Sequence, residues 1–120
     1  MFVKRLVLFF AAVALGACSD SPYGSGGGCT PTATKVCTAG GAAFSPVTLT
    51  VSAGTTVTWQ NGDGAAHTVT NDPASPATFN LSLGNGATVT RQFADTGHFP
   101  YHCTFHGTPG TGMHGTIIVN

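Results

Sequence analysis

The residues of this chain with the most chemistry lie near its C-terminus. Residues 101–115 read YHCTFHGTPGTGMHG and hold one thiol, one thioether and three imidazoles. Upstream, the segment AHTVT at 66–70 supplies a further imidazole, His67. Thiolate and thioether suit Cu(I), whereas imidazole suits both Cu(I) and Cu(II). Two His, one Cys and one Met form the ligand set of a blue-copper centre, so these two segments favour a redox-active copper site.

The spacing of these residues divides the predicted ligands between two parts of the chain. Cys103-x2-His106 places a thiol and an imidazole on one turn that leaves a strand. Met113 follows in a Gly-rich loop that could fold back over a metal ion, and His67 comes from a different strand. A rigid strand and one loop would then share the ligands, which suits a site that moves little when the metal changes oxidation state.

Each candidate ligand also has a purely structural interpretation. Cys103 could be a buried core thiol and Met113 could be core packing. His67 and His106 could be histidines with ordinary hydrogen bonds. His114 is an alternative ligand, but it precedes a strand and is out of register with Met113. Zinc would accept three N/S ligands as well, but a zinc site leaves the Met unexplained.

Short segments separated by turn residues predict an all-β fold. Clusters such as NGDG at 61–64 and GNG at 84–86 interrupt a chain rich in Thr, Gly and Val. No helical periodicity is evident, and residues 74–83 fit either a loop or a short irregular strand. About seven to eight short strands of this kind predict an antiparallel β-sandwich. The candidate strands are 34–37, 47–52, 55–60, 67–71, 87–93, 98–103 and 115–119.

Alternation along these strands predicts which side chains face the core. Cys103 lies on the apolar face of its strand, whereas His98 and His102 lie on the opposite face and are predicted to be surface side chains. His67 shares the parity of Val69 and is predicted to face inward. The same rule predicts a further set of inward-facing side chains, namely Val47, Leu49, Val51, Val57 and Trp59.

The N-terminus resembles a bacterial export signal. Residues 1–18 read MFVKRLVLFFAAVALGAC, in which a basic start precedes an apolar run, 6–15, that is too short for a membrane span. The ending LGAC resembles a lipobox, which implies that Cys18 is acylated and anchors the protein on the periplasmic side of a bacterial membrane. An uncleaved anchor, or an ordinary cleavage site followed by a free Cys, remains the alternative.

The rest of the chain predicts a tether followed by one small domain. With residues 1–17 as the signal peptide, residues 18–33 are polar, rich in Gly and Ser, and typical of a flexible tether. Residues 34–120 then form a single folded domain. Cys29 and Cys37 could pair as a disulfide in an oxidising compartment and pin the tether to the first strand. They could equally stay free or bind a metal, since spacing does not fix connectivity.

Composition and missing motifs exclude several classes of function. The 120 residues carry only four Lys and Arg against four Asp, and no Glu, so a charge-driven nucleic-acid binder is excluded. Without residues 1–17, two basic residues face four acidic ones. No HxH pair is present, and the chain reads HCT where a multicopper oxidase has HCH. Cys103 also lacks the CxxCH partner of a haem attachment site. We therefore expect that the protein is not an enzyme.

Residues 44–120 resemble a cupredoxin of the plastocyanin and pseudoazurin kind. The resemblance implies a Greek-key β-sandwich with one type 1 copper near one end. Carried over by position, it implies that His67, Cys103 and His106 are the strong ligands. Met113 is then the weak axial ligand. The matching segments are FSPVTLTVSAGTTVTWQN (44–61), HTVT (67–70), FADTGHFPYHCTFH (93–106) and GMHGTIIVN (112–120).

Two positions depart from the pattern of that family. Six residues, GTPGTG, separate His106 from Met113, where plastocyanin-type loops usually have four. A longer loop could displace or lengthen the axial bond. Thr68 follows the first His, where the family often has Asn. The hydrogen bond that braces the ligand loop must then come from a hydroxyl or from elsewhere.

The resemblance implies an electron carrier that exchanges one electron through the exposed edge of His106, surrounded by an apolar patch. The implied partners are periplasmic or membrane-bound redox proteins of the cytochrome or oxidoreductase type, docking with a monomer. The alternative is a periplasmic copper-binding and delivery protein that uses the same ligands.

Overall fold

Nine strands make up the regular structure of the computed structural model, which describes residues 28–120. Within this range no helix is long and apolar enough to cross a membrane. The nine strands, with no helix among the elements of residues 28–120, confirm the all-β fold class. Cys18, the signal peptide and most of the predicted tether lie outside the described residues. The strands are β1 (Lys35–Ala39), β2 (Ala43–Ser45), β3 (Thr48–Val51), β4 (Thr55–Asn61), β5 (His67–Asn71), β6 (Asn80–Leu83), β7 (Thr88–Phe93), β8 (Gly97–Thr108) and β9 (Thr111–Val119).

The strands form two sheets of a sandwich. One sheet has the order β2-β1-β4-β7 and the other the order β3-β9-β8-β5-β6. Both sheets are mixed, because β1 pairs with β4 and β3 pairs with β9 in parallel, whereas the other pairs are antiparallel. The sequence pattern predicted the sandwich with antiparallel pairing throughout. Alternation reports which face a side chain takes but not the direction of the neighbouring strand.

Strand boundaries differ most from the prediction around the candidate ligands. β5 begins and ends where the sequence predicted. β8 runs on to Thr108 and β9 begins at Thr111, so the predicted Gly-rich ligand loop is a hairpin instead. β2 was not predicted, because three residues between turns are too few for a pattern. β6 lies in the stretch 74–83 that fitted either a loop or a strand.

Aromatic and branched side chains fill the space between the sheets. Trp59 and Tyr101 meet edge to face with ring centroids 5.6 Å apart, and both are fully buried. Burying a large apolar side chain contributes roughly 1.5–3 kcal/mol. The predicted inward positions are buried except Val47, whose side chain is 50% exposed. Val47 precedes β3, and its carbonyl oxygen accepts the backbone N–H of Thr116.

The close approach of β8 and β9 requires glycine at position 115. A Cβ added to Gly115 would lie 2.5 Å from the hydroxyl oxygen of Tyr101. Burial raises the pKa of Tyr101, so its hydroxyl stays protonated under ordinary conditions. The contact with Gly115 holds the Tyr101 ring in the core, two residues before Cys103, and so helps to fix that part of β8.

Cys29 and Cys37 form a disulfide with Cα atoms 5.7 Å apart. Of the alternatives that the sequence left open, the structure shows the pairing. The bond ties residue 29, which precedes all the strands, to the centre of β1. Gly62 packs directly against it, since a Cβ at Gly62 would lie 2.9 Å from the Cβ of Cys29.

Candidate metal centre

Two adjacent strands of the five-stranded sheet carry the candidate strong ligands. His67 is the first residue of β5, and Cys103 and His106 lie in the second half of β8. β5 pairs with β8 through Thr70 and His102. This pairing brings the start of β5 beside the part of β8 that follows His102.

The three donor atoms converge. The Nδ1 atoms of His67 and His106 lie 3.2 Å apart. The Sγ atom of Cys103 lies 3.7 Å from Nδ1 of His67 and 3.5 Å from Nδ1 of His106. All three candidate ligand atoms lie within 4.8 Å of one another. The structure therefore brings His67 beside Cys103 and His106, which lie 36 and 39 positions further along the chain.

An irregularity in β8 turns Cys103 and His106 towards the same point. In a regular strand, residues three positions apart point to opposite faces. The pairing of β8 with β9 shifts register between His102 and Gly107, as at a β-bulge. Bulges re-aim side chains in this way, often beside functional sites. Strand parity alone would have separated these two ligands.

The site is closed on the protein side and open on one edge. His67 is 2% exposed and Cys103 is fully buried, whereas His106 is exposed. Phe105, next to His106, is 65% exposed. Of the three candidate ligands, His106 is therefore the one that solvent or another protein can reach.

Thr68 braces the thiol strand. The backbone N–H of Thr68 points to Sγ of Cys103 at 3.4 Å. The Thr68 hydroxyl accepts the backbone N–H of Thr104 at 2.9 Å. The side chain that stands where the family often has Asn thus forms a hydrogen bond between β5 and β8.

The six residues between His106 and Met113 form the end of a regular hairpin. Thr108 pairs with Thr111 across Pro109 and Gly110, and Gly110 has a φ of 72°. Pro followed by a residue with positive φ is typical of a type II turn. Met113 lies on β9 and is 1% exposed. The long connection therefore extends the sheet, and the prediction of a Gly-rich loop that carries Met113 is wrong, because Met113 lies on a strand.

Glycine is required where this hairpin joins the site. A Cβ on Gly107 would lie 2.7 Å from both the backbone N and O atoms of Met113. A Cβ on Gly112 would lie 2.7 Å from the carbonyl oxygen of His106. The two strands of the hairpin therefore approach each other at Gly107 and Gly112 more closely than residues with side chains would allow.

Asp63 contacts the site although sequence reasoning did not select it. Both carboxylate oxygens lie 2.9 Å from Nε2 of His67. Burial opposes ionisation of this carboxyl, but the backbone N–H of Ala65 and the His67 ring together outweigh burial, and the pKa of Asp63 is lowered. The residue lies in the NGDG segment, which the sequence pattern identified only as a turn.

The other histidines lie apart from the convergent donors. His98 is exposed, as predicted. His102 is mostly covered, with a side chain only 13% exposed, because Nδ1 binds the carboxylate of Asp72. The prediction of a free surface side chain at His102 is therefore wrong. His114 donates from Nδ1 to the carbonyl oxygen of Gly112 at 2.9 Å.

The donor set fits copper. Cys103 is outside any disulfide, and one sulfur and two imidazole nitrogens meet with no carboxylate oxygen among them. Soft sulfur together with imidazole selects copper or zinc over the hard divalent cations. The donors of His67 and Cys103 are buried in the fold, whereas His106 lies at the surface.

Comparison with known proteins agrees with this chemistry. The sequence pattern of the copper binding proteins, plastocyanin/azurin family, matches residues 32–120. Halocyanin from Natronomonas pharaonis is 42% identical over 66% of this chain and 49% of its own length. Chloroplastic plastocyanin from Tetradesmus obliquus is 35% identical over 67% of this chain and 60% of its own length. The chain thus spans about half to three fifths of these two relatives.

The fold comparison points the same way. A novel purple cupredoxin from Nitrosopumilus maritimus superposes with a TM-score of 0.60 at 26% identity, over 72% of this chain and 99% of that one. The sandwich, the convergent His-Cys-His donors and the match over residues 32–120 lead to one conclusion. This chain belongs to the plastocyanin/azurin family of copper binding proteins.

Proposed function

We propose that the protein is a type 1 copper electron carrier with one copper per chain. His67, Cys103 and His106 are the strong ligands and Met113 is the axial ligand. The observation that carries this proposal is the convergence of three donors of which only His106 is exposed. Copper bound there supplies one-electron redox chemistry between Cu(I) and Cu(II).

The fold holds these ligands in place through strand pairing. His67 and Cys103 lie on neighbouring strands and are buried, so neither side chain can move without disturbing the core. The backbone N–H of Thr68 donates to the Cys103 sulfur and helps to hold it in place. A ligand set fixed in this way changes little between oxidation states, which keeps the reorganisation accompanying electron transfer small.

The exposed ring of His106 is the proposed point of electron entry and exit. The Phe105 and His106 rings lie at 82° with centroids 6.4 Å apart. An apolar side chain beside an exposed ligand favours docking by apolar contact over strong electrostatic steering. The partners we propose are redox proteins, cytochromes or other oxidoreductases, that dock at this edge with a monomer. We propose no catalytic activity of its own.

The absorption spectrum of the copper-loaded protein tests the proposal. The wild-type protein should be intensely blue or green because of charge transfer from the Cys103 thiolate, and its colour should bleach and return on reduction and oxidation. Cys103→Ser should lose the band, whereas His98→Ala, a change at an exposed histidine, should keep it. Identical spectra for wild type and Cys103→Ser would overturn the assignment. Circular dichroism of both variants checks that the sandwich remains folded.

The exported location belongs to the same proposal. We place the mature protein on the periplasmic side of a bacterial membrane, held there by an acyl group on Cys18. The disulfide between Cys29 and Cys37 supports an oxidising compartment. Cys18→Ser should move the protein from the membrane fraction to the soluble fraction. Equal membrane content in both forms would argue against the lipid anchor.

Copper delivery is the alternative function of the same ligands. Burial of Cys103 and His67 favours the carrier, because a delivery protein must exchange its own copper ligands for those of the acceptor one after another, and buried ligands hinder that exchange. Reduced protein should therefore lose Cu(I) slowly to a chelator in solution. Release within the mixing time would favour delivery.

A further inference from the structure

Asp63 is placed to control the orientation of His67. It lies between β4 and β5, and its two carboxylate oxygens are both 2.9 Å from Nε2 of His67. The opposite ring nitrogen, Nδ1, faces Cys103 and His106 at 3.7 Å and 3.2 Å. The two nitrogens of one buried imidazole therefore face a carboxylate and the convergent donors.

This arrangement selects one tautomer of the ring. An ionised carboxylate only accepts hydrogen bonds, so Nε2 of a neutral His67 must be the donor. The proton then resides on Nε2, and Nδ1 keeps the lone pair that a metal ion requires. A carboxylate at the far nitrogen of a ligating histidine also raises the basicity of the ligand.

Hydrogen bonds from the buried interior hold Asp63 in place. Its backbone N–H donates to Oδ1 of Asn61 at 3.0 Å, and its own Oδ1 accepts the N–H of Ala65 at 2.8 Å. Asn61 is 2% exposed, and its Nδ2 lies 3.1 Å from the carbonyl oxygen of Leu83 and 2.9 Å from that of Gly84.

The turn is also connected to β1 and its disulfide. The hydroxyl of Thr38, the residue after Cys37, donates to Oδ1 of Asn61 at 2.9 Å and accepts the N–H of Gly62 at 3.0 Å. Gly62 packs against Cys29, as described above. The carboxylate of Asp63 therefore stands on a braced turn, unlike that of a residue in an exposed loop.

We propose that Asp63 is a positioning residue of the copper site, which fixes the His67 tautomer and favours Cu(II) over Cu(I) by its negative charge. This inference rests on the proposed role of His67 as a ligand. It adds a part that neither the ligand set nor the family match specifies. A carboxylate next to the ligand stabilises the more highly charged ion, so it lowers the reduction potential.

The test uses the full chain loaded with copper and compares Asp63→Asn with Asp95→Asn. Both changes remove one carboxylate charge, but Asp95 is exposed and precedes β8, roughly 25 Å along the strand direction from Cys103. Asp63→Asn should weaken Cu(II) binding about 10- to 100-fold, the usual effect of losing such a partner. A tenfold loss confined to Cu(II) raises the reduction potential by about 59 mV.

Asp63→Glu keeps the negative charge, so its Cu(II) affinity and its reduction potential should lie between those of Asp63→Asn and the wild type. Asp95→Asn should leave both unchanged. Equal potentials for Asp63→Asn and Asp95→Asn in proteins that are still blue would overturn the inference and leave the proposed function intact. A wild-type protein without the blue band would instead refute the proposed function.

A measurement on the unaltered chain keeps the inference testable if Asp63→Asn fails to fold. The ring nitrogen shifts of metal-free wild-type protein at about pH 8, where an ordinary histidine is neutral, report the tautomer directly. We expect His67 to carry its proton on Nε2. A proton on Nδ1 would overturn the positioning role of Asp63.

Discussion

His67 and His106 present the same atom to the same site from opposite environments. His67 is buried, and its two ring nitrogens face Asp63 and the convergent donors. His106 is exposed, and it lies beside Phe105 on a hairpin held by backbone pairing. One histidine is fixed by side chains in the interior, and the other is held by the backbone at the surface. The comparison separates the part of the site that sets its geometry from the part that meets a partner.

Deleting each histidine in turn should have the largest effect and test this contrast directly. His67→Gly and His106→Gly should both abolish the blue band, because each removes a strong ligand. Added imidazole should restore the band of His106→Gly at far lower concentration, since that gap opens to solvent. Titration with imidazole under an absorption spectrometer measures both. If both variants required the same concentration of imidazole, the assignment of His67 as buried and His106 as exposed would be contradicted.

Removing the buried brace on the His67 side should have the next largest effect. Asn61→Ala leaves the hydroxyl of Thr38 and several backbone groups without their partner, so we expect the free energy of unfolding to fall by about 3 kcal/mol. Thr111→Ala, an exposed position on the His106 side, should change it by less than about 0.5 kcal/mol. Urea unfolding of the metal-free proteins measures both. A similar loss in both variants would mean that the two sides are held equally firmly.

Two glycines of the hairpin should show the smallest effects and divide its base from its tip. Gly107→Ala places a Cβ against the backbone of Met113. We therefore expect a shifted copper spectrum and a free energy of unfolding that is lower by about 2 kcal/mol. At Gly110 the backbone has a positive φ, and an added Cβ would meet no neighbouring atom. Gly110→Ala should therefore lower the free energy of unfolding by about 1 kcal/mol and leave the copper spectrum unchanged. Spectra and unfolding curves for the two variants provide the measurement. A shifted spectrum for Gly110→Ala would show that the tip also controls Met113.

The sequence pattern predicted the inward-facing residues of most strands and the bounds of β5. Alternation works at these positions because one face of each strand meets the core. It failed at Val47 and His102. Val47 stands just outside the first residue of its strand and escapes the core. His102 points outward as predicted, but Asp72, the residue after β5, covers it.

The candidate ligands were predictable for a different reason. Cysteine, methionine and histidine rarely occur together in so short a segment without chemistry, and the spacing around Cys103 matched a known family. The hairpin was not predictable, because a Gly-rich segment with Pro is equally compatible with a loop. Asp63 was not predictable either, since an acidic residue in a turn is most often only solvated.

The sequence by itself determined the kind of site and the side of each strand that bears it. Residue type fixes donor chemistry, and the period of two fixes the face of a regular strand. Only the tertiary structure decided that Cys103 and His106 point to the same side and that Asp63 contacts His67. The first depends on the register shift between β8 and β9, and the second on a turn that Thr38, Leu83 and Gly84 hold in place. Local sequence carries no record of either, because both arise only when segments far apart in the chain come together.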